Sequence, residues 1–334
     1  MRRLISSLYA MVVSLRNRCY DRGIGVRSVG IPVVSVGNIT VGGTGKTPMV
    51  LALTEWLCRR GLRVAVVSRG YGRQSRGTIV VADGSGTKVP VTSSGDELAL
   101  IAQRIPTAVV IAAENRFEGA LLAQEQYGAD VVLLDDGFQH RRLHRDVDIV
   151  LVDAATLDPS NALIPCGTLR EPLTNLHRAD ILCAIGVERE AVARYAADDV
   201  PVVEAYIRIR RWRTLDGVPT IPPVGDVVAV CAIANPQRFA RSLRADAGVN
   251  VADMLVWRDH HWYTRSDAER IIETARRLGT CSIVTTEKDA IKLAAFAEQF
   301  AHAACVVRVA VAQLEFRSDD GEVLHLRLSN FLGR

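Results

Sequence analysis

Short runs of aliphatic and β-branched residues alternate with helical stretches along the first 200 residues. Runs that are apolar throughout are typical of strands buried on both faces of a sheet. Helical periodicity lies between several of them, as in Pro48–Arg60, Asp96–Gln103 and Arg116–Tyr127. This alternation predicts βαβ units, and hence an α/β fold with a mostly parallel sheet and flanking helices. The predicted strands are Val33–Val36, Val64–Ser68, Ile79–Val81 (alternatively an edge hairpin), Ala108–Ala112, Val131–Leu134, Ile149–Val152 and Ile181–Ile185.

The pattern changes near Pro201. Val202–Arg213 alternates as an extended ribbon, and a stretch rich in glycine and proline follows it up to Gly225. Buried-strand patterns then return, which predicts a second, smaller α/β domain joined through the ribbon as a hinge. Val323–Leu328 alternates again and predicts a last strand that pairs with the ribbon. The predicted segments are an N-terminal helix (1–27), a first domain (28–200), the hinge ribbon (201–225), the smaller domain (226–312) and a returning C-terminal strand (313–334).

The N-terminus contains an uncharged run, Leu4–Leu15, with arginines on both sides. As a helix this run is about 18 Å long, whereas the hydrocarbon core of a bilayer is about 30 Å thick. It is too short to span a membrane, and no small-x-small cleavage site follows it as in a signal peptide. We favour a helix on a membrane surface over one that packs on the protein, because apolar side chains share one face. Those side chains are Leu4, Leu8, Met11, Val12 and Leu15, and the flanking arginines are Arg2, Arg3, Arg16, Arg18 and Arg22.

Composition narrows the class of protein. The 334 residues are 49% hydrophobic and 23% charged, which is typical of a globular chain. The formal net charge of +4 argues against a dedicated nucleic-acid binder. The seven cysteines are dispersed without a Cys-x-x-Cys pair, so reduced thiols are a better interpretation than a disulfide framework or a zinc site. Nothing in the sequence indicates the oligomeric state.

The strongest local signal is Val33–Thr47, where a predicted strand leads into a glycine-rich turn and then a helix. Glycines allow successive backbone N–H groups to turn toward phosphate oxygens, and the helix N-terminus adds partial positive charge. Lys46 is expected to reach the β- and γ-phosphates of ATP, and the Thr47 hydroxyl to bind Mg²⁺. The usual pattern has glycine where this chain has Thr40. The residues expected to contact nucleotide are Thr40, Val41, Gly42, Gly43, Thr44, Gly45, Lys46 and Thr47.

A phosphate-binding loop of this kind needs an acid at the end of a neighbouring strand. Val131–Leu134 is followed by Asp135 and Asp136, either of which would hold Mg²⁺ directly or through water. The alternative is a pair of surface turn aspartates. Val150–Asp153 has the same shape, and we rank it lower because no polar cluster follows it.

With both phosphate elements located, the chain resembles the tetraacyldisaccharide 4′-kinase family of lipid A biosynthesis. The resemblance implies transfer of the ATP γ-phosphate to the 4′-hydroxyl of a tetraacyl disaccharide 1-phosphate, giving lipid IV-A. It also implies Mg²⁺, a P-loop fold and attachment to the cytoplasmic face of the inner membrane. The matching motifs, in family order, are Gly37–Pro48, Ser68–Gly72, Gly95–Glu97, Asp135–His140, Leu169–Pro172, Asp259–His261 and Thr286–Asp289.

The resemblance also favours catalytic roles for some residues. Asp96 is our candidate to accept the proton of the sugar hydroxyl, although Gly-Asp-Glu before an apolar run is equally a good helix cap. His260 would pair with Asp96 from the second domain, and its neighbour His261 makes that assignment ambiguous.

Other matched residues are expected on the acceptor side of the site. We expect substrate contacts from Arg116, Arg170 and Gln139. Arg170 is also counted among the catalytic residues, as is Lys46. Glu171 is expected to assist the metal ion. Thr286–Asp289 has no mechanistic role that the sequence reveals.

Two other classes of protein compete with a lipid-sugar kinase. A P-loop NTPase that acts as a membrane-associated switch or loader would hydrolyse nucleotide without transfer. Such switches carry a base-recognition motif such as Asn-Lys-x-Asp, which this sequence lacks. A noncatalytic membrane adaptor would keep the nucleotide fold but would not need Lys46.

Overall fold

The computed structural model describes residues 2–333. Three parts of the predictions lie outside the described residues. They are Met1 at the start of the first predicted segment, Arg334 at the end of the last one, and the side chain of Arg3. The strands are β1 (Val33–Gly37), β2 (Val64–Ser68), β3 (Ile79–Asp83), β4 (Val109–Ala112), β5 (Val131–Asp135), β6 (Val147–Asp153), β7 (Ile181–Ile185), β8 (Val202–Thr214), β9 (Pro219–Thr220), β10 (Asp226–Cys231), β11 (Asn250–Val256), β12 (Ser282–Thr286) and β13 (Val306–Phe316).

Helices lie between most of these strands, as expected for βαβ units. They are α1 (Arg2–Asp21), α2 (Lys46–Arg59), α3 (Val91–Ser94), α4 (Asp96–Arg104), α5 (Arg116–Tyr127), α6 (Ala154–Leu157), α7 (Arg189–Ala193), α8 (Pro236–Ala247), α9 (Arg265–Arg277), α10 (Glu287–Leu293), α11 (Ala297–His302) and α12 (Asp320–Leu332), with 3₁₀ turns at Leu173–Arg178 and Ala294–Phe296.

The strands form one sheet, in the order β3-β4-β2-β5-β1-β6-β7-β8-β13-β12-β10-β11, with β9 beside β8. From β4 to β8 all strands are parallel, and β3 is an antiparallel edge strand, as the short run at Ile79–Val81 suggested. The central strands of this half are buried along their whole length, which explains their uninterrupted apolar sequences. The predicted α/β class with a mostly parallel sheet is confirmed.

Apart from the short strands β3 and β9, strand direction in the described sheet reverses only between β8 and β13. These two long strands pair antiparallel from Ala205–Phe316 to Thr214–Arg308. Beyond them β13, β12, β10 and β11 are again parallel to one another. The predicted ribbon is therefore β8. The division into separate domains stays a prediction, because the sheet continues through the ribbon.

The two halves of the sheet contact different parts of β8. Strand β7 ends where Ile185 pairs with Ala205, near the start of β8. Strand β12 ends where Thr286 pairs with Ala310, which itself pairs with Trp212. Seven residues of strand separate these levels, or roughly 23 Å. Because the halves run in opposite directions, this stagger makes their carboxyl ends face each other across a cleft.

The predicted C-terminal strand is wrong, because Val323–Leu328 lies in helix α12. The apolar positions alternate, but only Leu324 and Leu328, four residues apart, are buried in the main core. Leu326 between them is 65% exposed. Burial of one helical stripe therefore determines this segment, and the strand that pairs with the ribbon is β13, which ends just before it.

Substitutions in α12 distinguish the helix from the strand. We expect Leu324→Ala to lower the free energy of unfolding by about 2–5 kcal/mol, since it empties a fully buried site. Leu326→Ala should change it by less than about 0.5 kcal/mol. Urea unfolding monitored by tryptophan fluorescence measures both. Equal losses at the two positions would contradict the helix, because a strand would place both side chains on one face.

Candidate active site

The loop after β1 is held in place from both sides. Within it, the Asn38 side-chain amide donates hydrogen bonds to the hydroxyls of Thr40 (3.2 Å) and Thr44 (2.9 Å). From outside, residues 168–170 pair with residues 39–41 through backbone hydrogen bonds of 2.8 and 2.7 Å. The departure from glycine at Thr40 thus has a structural explanation, since its hydroxyl braces the loop.

Gly45 forms the turn between this loop and helix α2. Its φ of 100° lies in the left-handed region, and a side chain there would collide with Ile207. Helix α2 begins at the next residue, Lys46, and no side chain among the described residues caps its first turn. The N–H groups of Lys46 and Thr47 are therefore available to an anion, whereas Pro48 has no N–H and Met49 donates to the Gly45 carbonyl. Gly43 faces Ala234 across the cleft, and a Cβ at position 43 would lie 3.7 Å from the Ala234 Cβ.

Lys46, Asp136, Arg170 and Gln139 converge beside the loop. The Lys46 ammonium lies 3.4 Å from the Asp136 carboxylate, and the Arg170 guanidinium donates to both oxygens of that carboxylate at 2.9 Å. Gln139 joins them, because it accepts from Arg170 at 3.2 Å and donates to the Asn38 carbonyl at 2.8 Å. Burial alone would raise the pKa of Asp136, but the charges of Lys46 and Arg170 hold it below its ordinary value.

Asp135 ends β5 in a more buried position. Its Oδ2 accepts a hydrogen bond from the Ser68 hydroxyl at 3.1 Å, whereas Oδ1 has no hydrogen-bond partner among the described residues. Burial, and then the negative charges of Glu97 and Asp136, raise the pKa of Asp135 to about 7. A buried carboxylate oxygen without a donor, beside further acids, suits a divalent cation that balances the charge. The residues present therefore fit Mg²⁺.

Arg116 is a buried cation at the start of α5. It is 2% exposed, forms no salt bridge with any described residue, and its Nε lacks a hydrogen-bond partner among them. Burial and the nearby charge of Arg69 lower the pKa of Arg116 to about 10. A guanidinium held in this way retains donors that match phosphate oxygens.

Asp96 and His260 are brought together from opposite halves of the sheet. The His260 Nδ1 lies 2.9 and 3.0 Å from the two carboxylate oxygens of Asp96. Asp96 is 3% exposed and does not cap helix α4, so the alternative role weighed from the sequence does not apply to its side chain. Burial opposes its ionisation, but the hydrogen bond from His260 and the charges of Lys288, His260 and Lys292 hold the pKa of Asp96 well below its usual range.

Neighbouring candidates have structural partners instead. His261 Nε2 contacts the Asp267 carboxylate at 3.0 Å and its ring stacks on Trp257, so His260 is the residue that faces Asp96. Asp153, the acid ranked lower, accepts from the backbone and hydroxyl of Thr156 and caps α6.

Glu171 is not with the other predicted metal ligands. Its fully buried carboxylate accepts from Asn17 (2.8 Å), Asn175 (2.7 Å) and Arg178 (2.7 Å). The Arg170 backbone N–H donates to the Ile39 carbonyl at 2.7 Å, which fixes this segment against the loop. The Arg170 side chain reaches Asp136, whereas the Glu171 side chain reaches Asn17 of helix α1.

Some contacts in the site were not identified from the sequence. Ser68 and Asn38 lie in matched motifs, but the hydrogen bonds of their side chains were not anticipated. Ser68 contacts an acid 67 positions away. Lys292 lies outside the quoted motifs and contacts Asp96 at 3.3 Å. Its spacing of three from Asp289 on one helix was the available signal.

The fold and the loop define a nucleotide-binding enzyme of the P-loop class. Within that class, the family model of Tetraacyldisaccharide-1-P 4′-kinase (LpxK) matches residues 2–329. The chain belongs to this family of kinases, and the resemblance stated from its motifs is confirmed.

Relatives and a solved structure agree with the family model. The chain is 40% identical over 323 residues to the tetraacyldisaccharide 4′-kinase of Anaeromyxobacter sp. (strain K), covering 92% of this chain and 84% of that protein. It is 39% identical over 315 residues to that of Chlorobaculum parvum, covering 90% and 86%. The crystal structure of LpxK from Aquifex aeolicus in complex with ATP matches with a TM-score of 0.78 and 31% identity, covering 98% and 97%.

His140 should make the stability of the protein depend on pH. Burial, and then the charges of Arg116 and Arg145, lower the pKa of His140 from 6.5 to about 4. Between these values the unfolded chain binds a proton that the folded chain does not, so stability is lost as pH falls through 6.5 toward 4. We expect His140→Gln to remove about 1 kcal/mol of this dependence between pH 7 and 5, allowing for solvent screening. Urea unfolding at both pH values tests this, and parallel pH curves for the two proteins would contradict it.

Proposed function

We propose that this protein transfers the γ-phosphate of ATP to the 4′-hydroxyl of tetraacyldisaccharide 1-phosphate, giving lipid IV-A. The observation that carries the proposal is the Asp96–His260 pair beside the loop and its acids. Glu97, next to Asp96, acts on the pKa of Asp135, so the two groups belong to one site. A site that only hydrolysed ATP would not need an acid–histidine pair formed by residues from both halves of the sheet.

The nucleotide end of the site would use residues 40–47. The loop amides and the first turn of α2 donate to phosphate oxygens, and Lys46 neutralises the β- and γ-phosphates. Thr47, Asp135 and Asp136 would hold Mg²⁺, which supplies positive charge for the triphosphate when it is bound. Glu171 is left out of this set because its carboxylate points toward helix α1, where its Oε2 accepts a hydrogen bond from Asn17.

At the acceptor end, Asp96 would receive the proton of the sugar hydroxyl. Its depressed pKa keeps it ionised at neutral pH, so it accepts a hydrogen bond from the hydroxyl and orients it. Phosphoryl transfer proceeds largely through positioning and charge neutralisation, which makes an oriented weak base sufficient. His260 fixes the orientation of the carboxylate through their hydrogen bond.

Arg116, Arg170 and Gln139 would bind phosphate and sugar groups. The buried Nε–H of Arg116 has no hydrogen-bond partner among residues 2–333, which favours an anionic ligand. Arg170 and Gln139 are already connected to Asp136, so they would orient groups close to the reacting phosphate.

We also propose a location at the cytoplasmic face of the inner membrane, and helix α1 supports contact with a membrane surface. Its apolar side chains at Leu4, Leu8, Met11, Val12 and Leu15 are 56–76% exposed, so the protein does not cover this face. None of the helices within residues 2–333 has the length and hydropathy to cross a bilayer. Another face of α1 contacts the segment that carries Arg170, since the Tyr9 hydroxyl donates to the Arg170 carbonyl at 2.9 Å. Binding of α1 to a membrane surface would bring a lipid substrate beside the site.

Asp96→Asn tests the transfer reaction. We expect kcat for label transfer from γ-labelled ATP to tetraacyldisaccharide 1-phosphate to fall roughly 10²- to 10⁴-fold, because the hydroxyl loses its proton acceptor. ATP affinity should stay the same. Asp153→Asn is the matched control, since this acid caps α6 and Asn is a good cap as well.

The same assay separates the three classes of protein. Free phosphate without labelled lipid would support a switch or loader and overturn the kinase proposal. Neither product, together with full biological activity of Lys46→Ala, would support an adaptor.

Leu8→Ser/Val12→Ser tests whether helix α1 binds to a membrane surface. We expect the partition coefficient onto vesicles that contain anionic phospholipid to fall at least roughly tenfold, since burying each side chain contributes about 1.5–3 kcal/mol. Val224→Ser, at a 91% exposed position outside α1, is the control and should bind as the wild type does. Equal binding by the double variant and the wild type would contradict the proposed membrane face.

A further inference from the structure

Helix α10, which begins at the Thr286–Asp289 motif, packs against helix α4 across the cleft. Three ion pairs connect the two helices. Glu287 contacts Arg104 at 2.8 Å, Lys288 contacts Glu97 at 3.2 Å and Lys292 contacts Asp96 at 3.3 Å. The motif that had no role in the sequence analysis thus lies against the helix that carries Asp96.

Lys292 differs from the other two cations in its burial. Its side chain is 1% exposed, and its ammonium lies 3.3 Å from both Asp96 Oδ2 and Asp289 Oδ1. Those two carboxylates are 3% and 0% exposed. A lysine without access to water stays charged only between acids, and each acid likewise depends on it. Lys292 is therefore fixed between two carboxylates, one of which is Asp96.

Asp289 connects the same cluster to His260. Its Oδ2 accepts the backbone N–H of Ala232 at 3.0 Å, and the Ala232 carbonyl accepts the backbone N–H of His260 at 3.2 Å. His260 has a φ of 62°, a conformation that a residue with a side chain holds only when its surroundings fix it. Asp289 fixes the end of β10 on which that conformation depends.

We propose that Lys292 and Asp289 are positioning residues that fix the two members of the Asp96–His260 pair relative to each other. Lys292 holds the carboxylate, and Asp289 holds the backbone that presents the imidazole. This inference rests on the proposed function, in which Asp96 receives the proton of the sugar hydroxyl. The alternative is that α10 only joins the two halves of the sheet, in which case its three ion pairs are equivalent.

Lys292→Met tests this inference, with Glu287→Gln as the matched control. Glu287 belongs to the same helix pair but contacts Arg104 and Arg213, away from Asp96. We expect kcat of Lys292→Met to fall roughly 10- to 100-fold, since small misplacements of a reacting group have effects of this size. KM for ATP and for the lipid should change less than about twofold, because the variant leaves the binding groups in place. Glu287→Gln should lose stability but keep kcat.

The pH profile of kcat gives a second readout that a purely structural role would not change. The charged groups that face Asp96 are His260, Lys288 and Lys292, with Glu97 beside it on α4. Removing the Lys292 charge removes one of the contributions that favour the ionised carboxylate. The acid limb of the profile should therefore move to higher pH in Lys292→Met and stay in place in Glu287→Gln.

Two further variants make each outcome decisive. Lys292→Met/Asp289→Asn removes both charges of the buried pair. The amide oxygen introduced at position 289 can still accept the hydrogen bond from the Ala232 N–H. This double variant therefore allows the measurement if Lys292→Met alone unfolds. Recovery of wild-type kcat in the double variant, or equal kcat in Lys292→Met and Glu287→Gln, would overturn the inference. If the inference about Lys292 and Asp289 is overturned but Asp96→Asn is inactive in the same assay, the proposed function still stands. Wild-type kcat in Asp96→Asn would instead overturn the role of Asp96 itself.

Discussion

The structure depends on how strand β8 is shared between the two halves of the sheet. It pairs parallel with β7 through its first residues and antiparallel with β13 along most of its length. One reversal of direction combined with this stagger makes the carboxyl ends of both half-sheets face one cleft. Carboxyl ends of parallel strands are where α/β proteins collect functional loops. Here the loop before Lys46 comes from one half, and His260 comes from the other.

Charges that meet across this cleft have to be balanced, because several of them are buried. Asp96 is held by His260 and Lys292, and Glu287 by Arg104 and Arg213. Pairs of this kind contribute little net stability, since desolvation offsets most of their attraction. Removing one partner, in contrast, leaves an uncompensated buried charge. The pairs therefore specify the arrangement of the two halves more than they strengthen it.

The sequence predicted elements well where the signal is local. The β1 loop, the acids at the end of β5 and nearly all strands follow from apolar runs, glycine turns and helix starts. It failed where a distant contact decides the outcome. Val323–Leu328 alternates like a strand, but the core accepts only Leu324 and Leu328. The family motif selected His260 or His261 without separating them, and only the stacking of His261 on Trp257 and its contact with Asp267 do so.

Adjacent residues 170 and 171 connect helix α1 to the chemistry of the site. The Arg170 side chain contacts Asp136, and the Glu171 side chain contacts Asn17 of α1. The Glu171 carboxylate is fully buried, and its Oε2 accepts hydrogen bonds from Asn17 of α1 and from Arg178. A shift of α1 away from this segment would leave that carboxylate short of a partner, at a cost of about 1–3 kcal/mol or more for a charged group. Helix α1 and the segment that carries Arg170 are therefore connected, and a displacement of the helix would also act on Arg170.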